Sequence, residues 1–204
     1  MNAKQTRIIA VANEKGGVGK TVTVINLAAA LSRLNKNVLV VDMDPQANAT
    51  RGLGFTPDDA LSVYNLISDP QHVNAANVIS STSWPGLDLI PAHVDLSGAE
   101  VELVDRAGRQ NSIKIGMEAI DSDYDFILVD TPPSLSLLTV NVLAYAREVI
   151  IPCQTHPYAL VALTELLDTI NAVRDQINPD LSVTGIVATL SLIHISEPTR
   201  RRLE

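Results

Sequence analysis

Residues 8–21 read Ile8-Ile9-Ala10-Val11-Ala12-Asn13-Glu14-Lys15-Gly16-Gly17-Val18-Gly19-Lys20-Thr21. The first five form an unbroken apolar run, the pattern of a strand buried on both faces. From residue 21 to 34 the apolar residues Val24, Leu27, Ala28 and Leu31 recur at helical spacing. Between strand and helix lies a loop with three glycines. Such a loop can fold tightly enough for its N–H groups to converge, and the helix start adds partial positive charge. The result is a cradle for phosphate. Gly16, Gly17, Val18 and Gly19 supply its backbone, Lys20 can neutralise β- and γ-phosphates, and the Thr21 hydroxyl can ligate Mg²⁺. A glycine-rich turn that binds nothing is the plainer alternative. The ordered succession of strand, loop, Lys20, Thr21 and helix argues against it.

Outward from this stretch, strand and helix patterns alternate. Strands are predicted at 38–41, 86–91, 126–129, 149–151 and 183–188. Helices are predicted at 61–67, 95–105, 113–120, 135–145 and 159–177, and residues 45–60, rich in Pro, Gly, Asn and Asp, read as a loop. The alternation argues a doubly wound α/β domain, a mostly parallel sheet with helices on both faces. Ligands of such sheets bind at the carboxyl ends of strands.

Composition agrees. Hydrophobic residues make up 46% of the 204 and aromatics only 3%, so the core is aliphatic, as in a covered parallel sheet. A net charge of −8 makes the whole surface an unlikely partner for nucleic acid, though not a local patch. Cys153 is the only cysteine, which excludes an internal disulfide and a four-cysteine metal site and favours a reducing, cytoplasmic setting. There is no apolar run of membrane-spanning length and no signal-peptide pattern at the start.

Two acidic motifs end predicted strands. In Asp42-Met43-Asp44-Pro45-Gln46 the carboxylates at i and i+2 of an extended segment share a face. Beside a triphosphate they can hold metal-bound waters or position an attacking water; an Asx turn before Pro45 is the structural alternative. Asp130 ends the 126–129 strand and precedes Thr131-Pro132-Pro133-Ser134. A carboxylate there can hold Mg²⁺ through a water, since Mg²⁺ dehydrates reluctantly; capping of the next helix is the alternative. Cys153, Trp84 and the scattered His72, His93, His156 and His194 read as packing or loop residues, and Arg106, Arg109 and Lys114 as a solvated helix face.

The loop departs from the standard G-x-x-x-x-G-K-[ST] pattern: Glu14 stands at the first glycine, and Lys15 precedes Gly16. In this K-G-G-x-G-K-T form it resembles the deviant Walker A motif of the ParA/MinD superfamily, P-loop NTPases. Asp42 to Gln46, continuing through Ala47-Asn48-Ala49-Thr50, resembles the family's second signature, and Asp130 its Walker B aspartate. The resemblance runs on through Ile90-Pro91-Ala92, Gly98-Ala99-Glu100, Leu138-Thr139-Val140-Asn141, Ile151-Pro152 and Tyr158-Ala159-Leu160, covering nearly all of 8–189. Val22 departs from it, replacing a threonine. The resemblance implies ATP and Mg²⁺ as ligands and hydrolysis of ATP. It implies that Lys15 reaches the nucleotide of the partner in a sandwich homodimer and that Asp44 orients or deprotonates the hydrolytic water. Thr21, Asp42 and Asp130 then form the metal shell, with Lys15 to Thr21 holding the nucleotide. The implied role is a switch in chromosome or plasmid partitioning, cytoplasmic and nucleoid-associated. A ParB-type protein would stimulate it, and DNA would bind non-specifically through the family's C-terminal part. Alternatives are a MinD-like membrane-associated ATPase for division-site placement, a nitrogenase-reductase-like electron carrier, for which the cluster cysteines are missing, and a non-hydrolysing nucleotide-gated adaptor. No stable membrane insertion is implied.

Leu190 to Arg200 breaks with the family and resembles the translation of a transposase adapter used in sequencing libraries. Residues 1–189 are thus read as a P-loop ATPase domain incomplete at its C-terminus and 190–204 as a non-native tail. Such a chain is expected to expose the 183–188 strand as an apolar edge and to be prone to aggregation.

Overall fold

The computed structural model describes residues 5–57, 61–155 and 159–189. The sequence expectations for 58–60, for His156 and Tyr158, and for the 190–204 tail lie outside the described residues. The three strands that matter most are β1 (Arg7–Val11), β2 (Val38–Asp42) and β5 (Phe126–Asp130). Every β2 residue is buried, and so are four of the five in β1 and in β5. They are joined by β3 (Ser80–Ser81), β4 (Leu87–Ile90), β6 (Glu148–Gln154) and β7 (Ser182–Thr189) in one sheet of order β3-β4-β2-β5-β1-β6-β7. All pairings are parallel except that of β3 with β4. The doubly wound α/β fold read from the alternation is therefore the fold of the protein. The small antiparallel edge is an addition, made by two serines that carry no strand signal.

Because parallel strands must be joined by crossovers, helices cover both faces. On one face β1 and β2 residues Ile9, Val11, Val38 and Val40 meet Val24 and Ala28 of α1 (Lys20–Arg33). On the other, Ile8, Ala10, Leu39, Val41, Ile127 and Val129 form the larger cluster with residues of the later helices. Those include α3 (Val63–Ser68), α4 (Leu96–Leu103), α5 (Ser112–Met117), α6 (Leu137–Tyr145) and α7 (Ala159–Gln176). Strand period two divides each strand between the two cores.

One expectation is corrected. Residues 45–60 are not all loop: Asn48–Gly52 form a short helix, α2. Ala47 turns the chain into it at φ 52, a left-handed conformation unusual for alanine. Gly52 lets α2 lie against α1, since a Cβ there would overlap the Ile25 side chain. Pattern reading missed α2 because five residues are too few to display a period. At the far end of the sheet, β7 pairs only with β6 among the described strands, and its Val183, Ile186 and Val187 are exposed.

β5 is the central strand, so truncating it tests the fold. Leu128 is fully buried in the α1-side core. Leu128→Ala is expected to cost about 2–5 kcal/mol, read as a lower urea midpoint with an unchanged slope.

Candidate nucleotide-binding site

Register places the site. Val11, Asp130 and Asp42 are the last residues of adjacent strands, with Val11 paired to Asp130 and Asp42 paired to Asp130. The carboxyl ends of β1, β5 and β2 therefore stand level, and the loops leaving them share one rim.

The loop after β1 is held from several sides. Asn13 is buried; its Nδ2 donates to the Pro152 carbonyl at 2.7 Å, and its Oδ1 accepts from the Lys15 N–H at 2.9 Å. The Lys15 ammonium donates to Gln154 Oε1 at 3.1 Å. On the other side of the loop the Thr189 hydroxyl donates to the Val18 carbonyl at 2.7 Å. Gly17 and Gly19 lie at φ 74 and 90, where an L side chain would be strained. Gly19 caps α1, whose first turn carries no acidic side chain, so the positive end of the helix is uncompensated. Lys20, 7% exposed, donates its ammonium to the Lys15 carbonyl at 3.1 Å. Burial holds its pKa below the usual lysine value, against the pull of Asp130 and Asp44.

Facing the loop are the carboxylates. Asp130 is fully buried, and among the described residues neither of its oxygens has a hydrogen-bond partner. Burial, with Asp42 and Asp44 nearby, pushes its pKa up to about 7; the neighbouring Thr21 hydroxyl and the charge of Lys20 pull it back only in part. Asp42 is as buried but well supplied: Oδ1 accepts from the Asp44 N–H at 3.1 Å, and Oδ2 from the Thr50 N–H at 2.8 Å and the Thr50 hydroxyl at 2.7 Å. Its pKa is still raised by burial, to about 6. Asp44, 7% exposed, lies in an Asx turn, Oδ1 accepting from the Gln46 N–H at 2.9 Å. Asp44 opens onto a cleft of about 510 Å³ lined also by Gly17, Lys20, Thr21, Gln46 and Pro133, among others.

Most of the residues singled out by sequence meet at this cleft: Gly16, Gly17, Gly19, Lys20, Thr21 and Asp44 line it. Asp42 and Asp130 sit beneath them at the strand ends. Val18 turns inward and is buried, contributing backbone to the loop, and the Lys15 side chain points to Gln154. Sequence reading assigned no role to Asn13, Thr50, Gln154 or Thr189, although each bonds to the loop or to Asp42. Asn13 and Thr50 lay inside the quoted motifs, but only contacts distant in sequence reveal what they hold.

The orphaned pair of Asp130 oxygens beside the Thr21 hydroxyl fits a Mg²⁺ site, since a buried carboxylate without a donor calls for a cation. Among the described residues no group of three His, Cys, Asp or Glu is placed to hold a metal alone. Mg²⁺ commonly takes one or two carboxylates and completes its shell with waters and phosphate oxygens.

A parallel sheet with a glycine loop at the strand-to-helix turn and carboxylates on the neighbouring strand ends defines a P-loop NTPase. Residues 6–183 match the family model described as AAA domain. The sporulation initiation inhibitor protein Soj of Bacillus subtilis is 45% identical over 185 residues, 90% of this chain and 72% of that protein. The chromosome-partitioning ATPase Soj of Treponema pallidum is 47% identical over 178 residues, 87% of this chain and 69% of that protein. Among solved structures, cobyrinic acid a,c-diamide synthase from Mycobacterium smegmatis, with bound ADP and magnesium, superposes with TM-score 0.87 at 38% identity, covering 98% of this chain and 83% of that one. A plasmid partition protein from Borrelia burgdorferi gives TM-score 0.78 at 28% identity, covering 90% and 79%. The chain belongs to the ParA/Soj family of partitioning ATPases.

The raised Asp130 pKa has a consequence for stability. In the nucleotide- and metal-free protein the folded state binds the Asp130 proton more tightly than the unfolded chain does, so this group's contribution falls as pH rises from about 4 to about 7. Asp130→Asn removes that loss. Its melting temperature is expected to exceed that of the wild type by more at pH 8 than at pH 5, checked by thermal melts in EDTA.

Proposed function

We propose that this protein is an ATP-binding and ATP-hydrolysing dimeric switch in the partitioning of chromosome or plasmid DNA. The observation that carries the reading is the buried Asp130 carboxylate, without a hydrogen-bond partner among the described residues, set against Thr21 and Lys20 of the glycine loop. The identities of 43–47% to partitioning proteins favour this role over division-site placement.

Each residue then has a task. The N–H groups of Gly16 to Gly19 and the start of α1 take up phosphate oxygens. Lys20 leaves the Lys15 carbonyl and pairs with the β- and γ-phosphates of the substrate. The Thr21 hydroxyl and Asp130 would hold Mg²⁺, with Asp42 contributing to the same shell. When bound, Mg²⁺ would neutralise charge on the phosphates. Asp44 lines the same cleft and orients or deprotonates the attacking water. Lys15 leaves Gln154 to reach the nucleotide of a second copy, so that ATP closes the dimer. A ParB-type protein stimulates an otherwise slow turnover, and the released monomer leaves the DNA. The setting is the cytoplasm; no helix among the described residues is long and apolar enough to cross a membrane.

Lys20→Ala is expected to abolish ATP binding in a fluorescent-nucleotide titration, because the phosphates lose their main counter-charge. Asp44→Ala should bind ATP as the wild type does but stop hydrolysis and accumulate as a dimer on size-exclusion chromatography. Its loss would fall on turnover and not on ground-state affinity. Unchanged affinity in Lys20→Ala would remove the site from the glycine loop, and wild-type turnover in Asp44→Ala would assign the water to another group.

A further inference from the structure

We propose that Thr50, on α2, is a positioning residue for hydrolysis, holding the Asp44 segment in place through Asp42. This rests on the reading of Asp44 as the residue that acts on the attacking water. Thr50 is fully buried. Its N–H and its hydroxyl both donate to Asp42 Oδ2, at 2.8 and 2.7 Å, while Asp42 Oδ1 accepts from the Asp44 N–H at 3.1 Å. One carboxylate thus clamps both ends of the 44–50 segment. The Thr50 oxygen also accepts from the Ala92 N–H at 3.0 Å, just beyond β4, and so ties the clamp to the next strand end.

The segment between the two anchors needs holding. Ala47 sits in the left-handed region at φ 52, a conformation that persists in a non-glycine residue only where its surroundings impose it. The Arg51 side chain closes back onto the Gln46 carbonyl. Asp44 itself reaches the cleft from this turn. Loosening the Thr50 end leaves the turn fastened at one end only, and the Asp44 carboxylate loses its aim. Phosphate contacts come from another loop, after β1, and do not pass through Thr50.

Valine matches threonine in shape but lacks the hydroxyl. In Thr50→Val the Ala92 N–H loses its acceptor and Asp42 one of three donors, while the contact of Gly52 with Ile25 still seats α2 on α1. Serine keeps the hydroxyl.

The test is steady-state ATP hydrolysis with Mg²⁺, and fluorescent-nucleotide titration, on the whole chain. Thr50→Val is expected to lower kcat roughly 10- to 100-fold with ATP affinity unchanged, and Thr50→Ser to restore kcat. Wild-type kcat in Thr50→Val overturns the proposal. So does a parallel loss of affinity and kcat in both variants, or a Thr50→Val protein without a cooperative melt, either of which makes the hydroxyl structural. Asp44→Ala run alongside separates the two readings. An inactive Asp44→Ala with a fully active Thr50→Val removes Thr50 alone, and an active Asp44→Ala removes the reading beneath it.

Discussion

Asp42 and Asp130 stand side by side on adjacent strands, both wholly shielded from water. Two carboxylates in that position repel each other and lose hydration, a cost of several kcal/mol for any charge left uncompensated. The protein resolves the two differently. Asp42 is surrounded by three donors and serves the backbone around it. Asp130 has no hydrogen-bond partner among the described residues and is pushed toward neutrality, with Thr21 and Lys20 held nearby by the first turn of α1. A site in this state favours a cation and the anions that travel with it. The rest of the rim is arranged around that need.

The phosphate loop is likewise a product of distant parts. Asn13 ties its entrance to the end of β6, and Thr189 ties the Val18 carbonyl to the end of β7. A loop rich in glycine would otherwise carry a large conformational entropy. Fastening it at both sides lowers the cost of ordering it around a ligand. β7 is one of the two edge strands among those described and much of it is exposed, so the loop depends on one of the less protected parts of the sheet.

Much of this was legible in the sequence. Unbroken apolar runs such as Ile8 to Ala12 and Phe126 to Val129 identify strands covered on both sides, because both of their faces must be apolar. The carboxylates at strand ends and the glycines before Lys20 announce themselves by type and order. What stayed hidden has a common physical cause. The α2 helix is one turn and a half long, too short for a period; Ala47 turns the chain into it, and Gly52 lies against the Ile25 side chain of α1. The Ser80–Ser81 strand exists because β4 offers an unpaired edge. Neither reason is local.

Sequence by itself thus determined the doubly wound class, the loop that can cradle phosphate, and the acidic and basic residues around it. Each of these follows from local composition and spacing. Tertiary structure decided which carboxylate is satisfied and which is not. Asp42 and Asp130 look alike in sequence, each closing an apolar strand. Asp42 meets Thr50, eight residues on, because α2 folds back over the end of β2, whereas Asp130, beside Thr21 and Lys20, has no partner at hydrogen-bonding geometry among the described residues. That difference is set by which donors lie across the rim, a matter of three-dimensional distance that residue order does not encode.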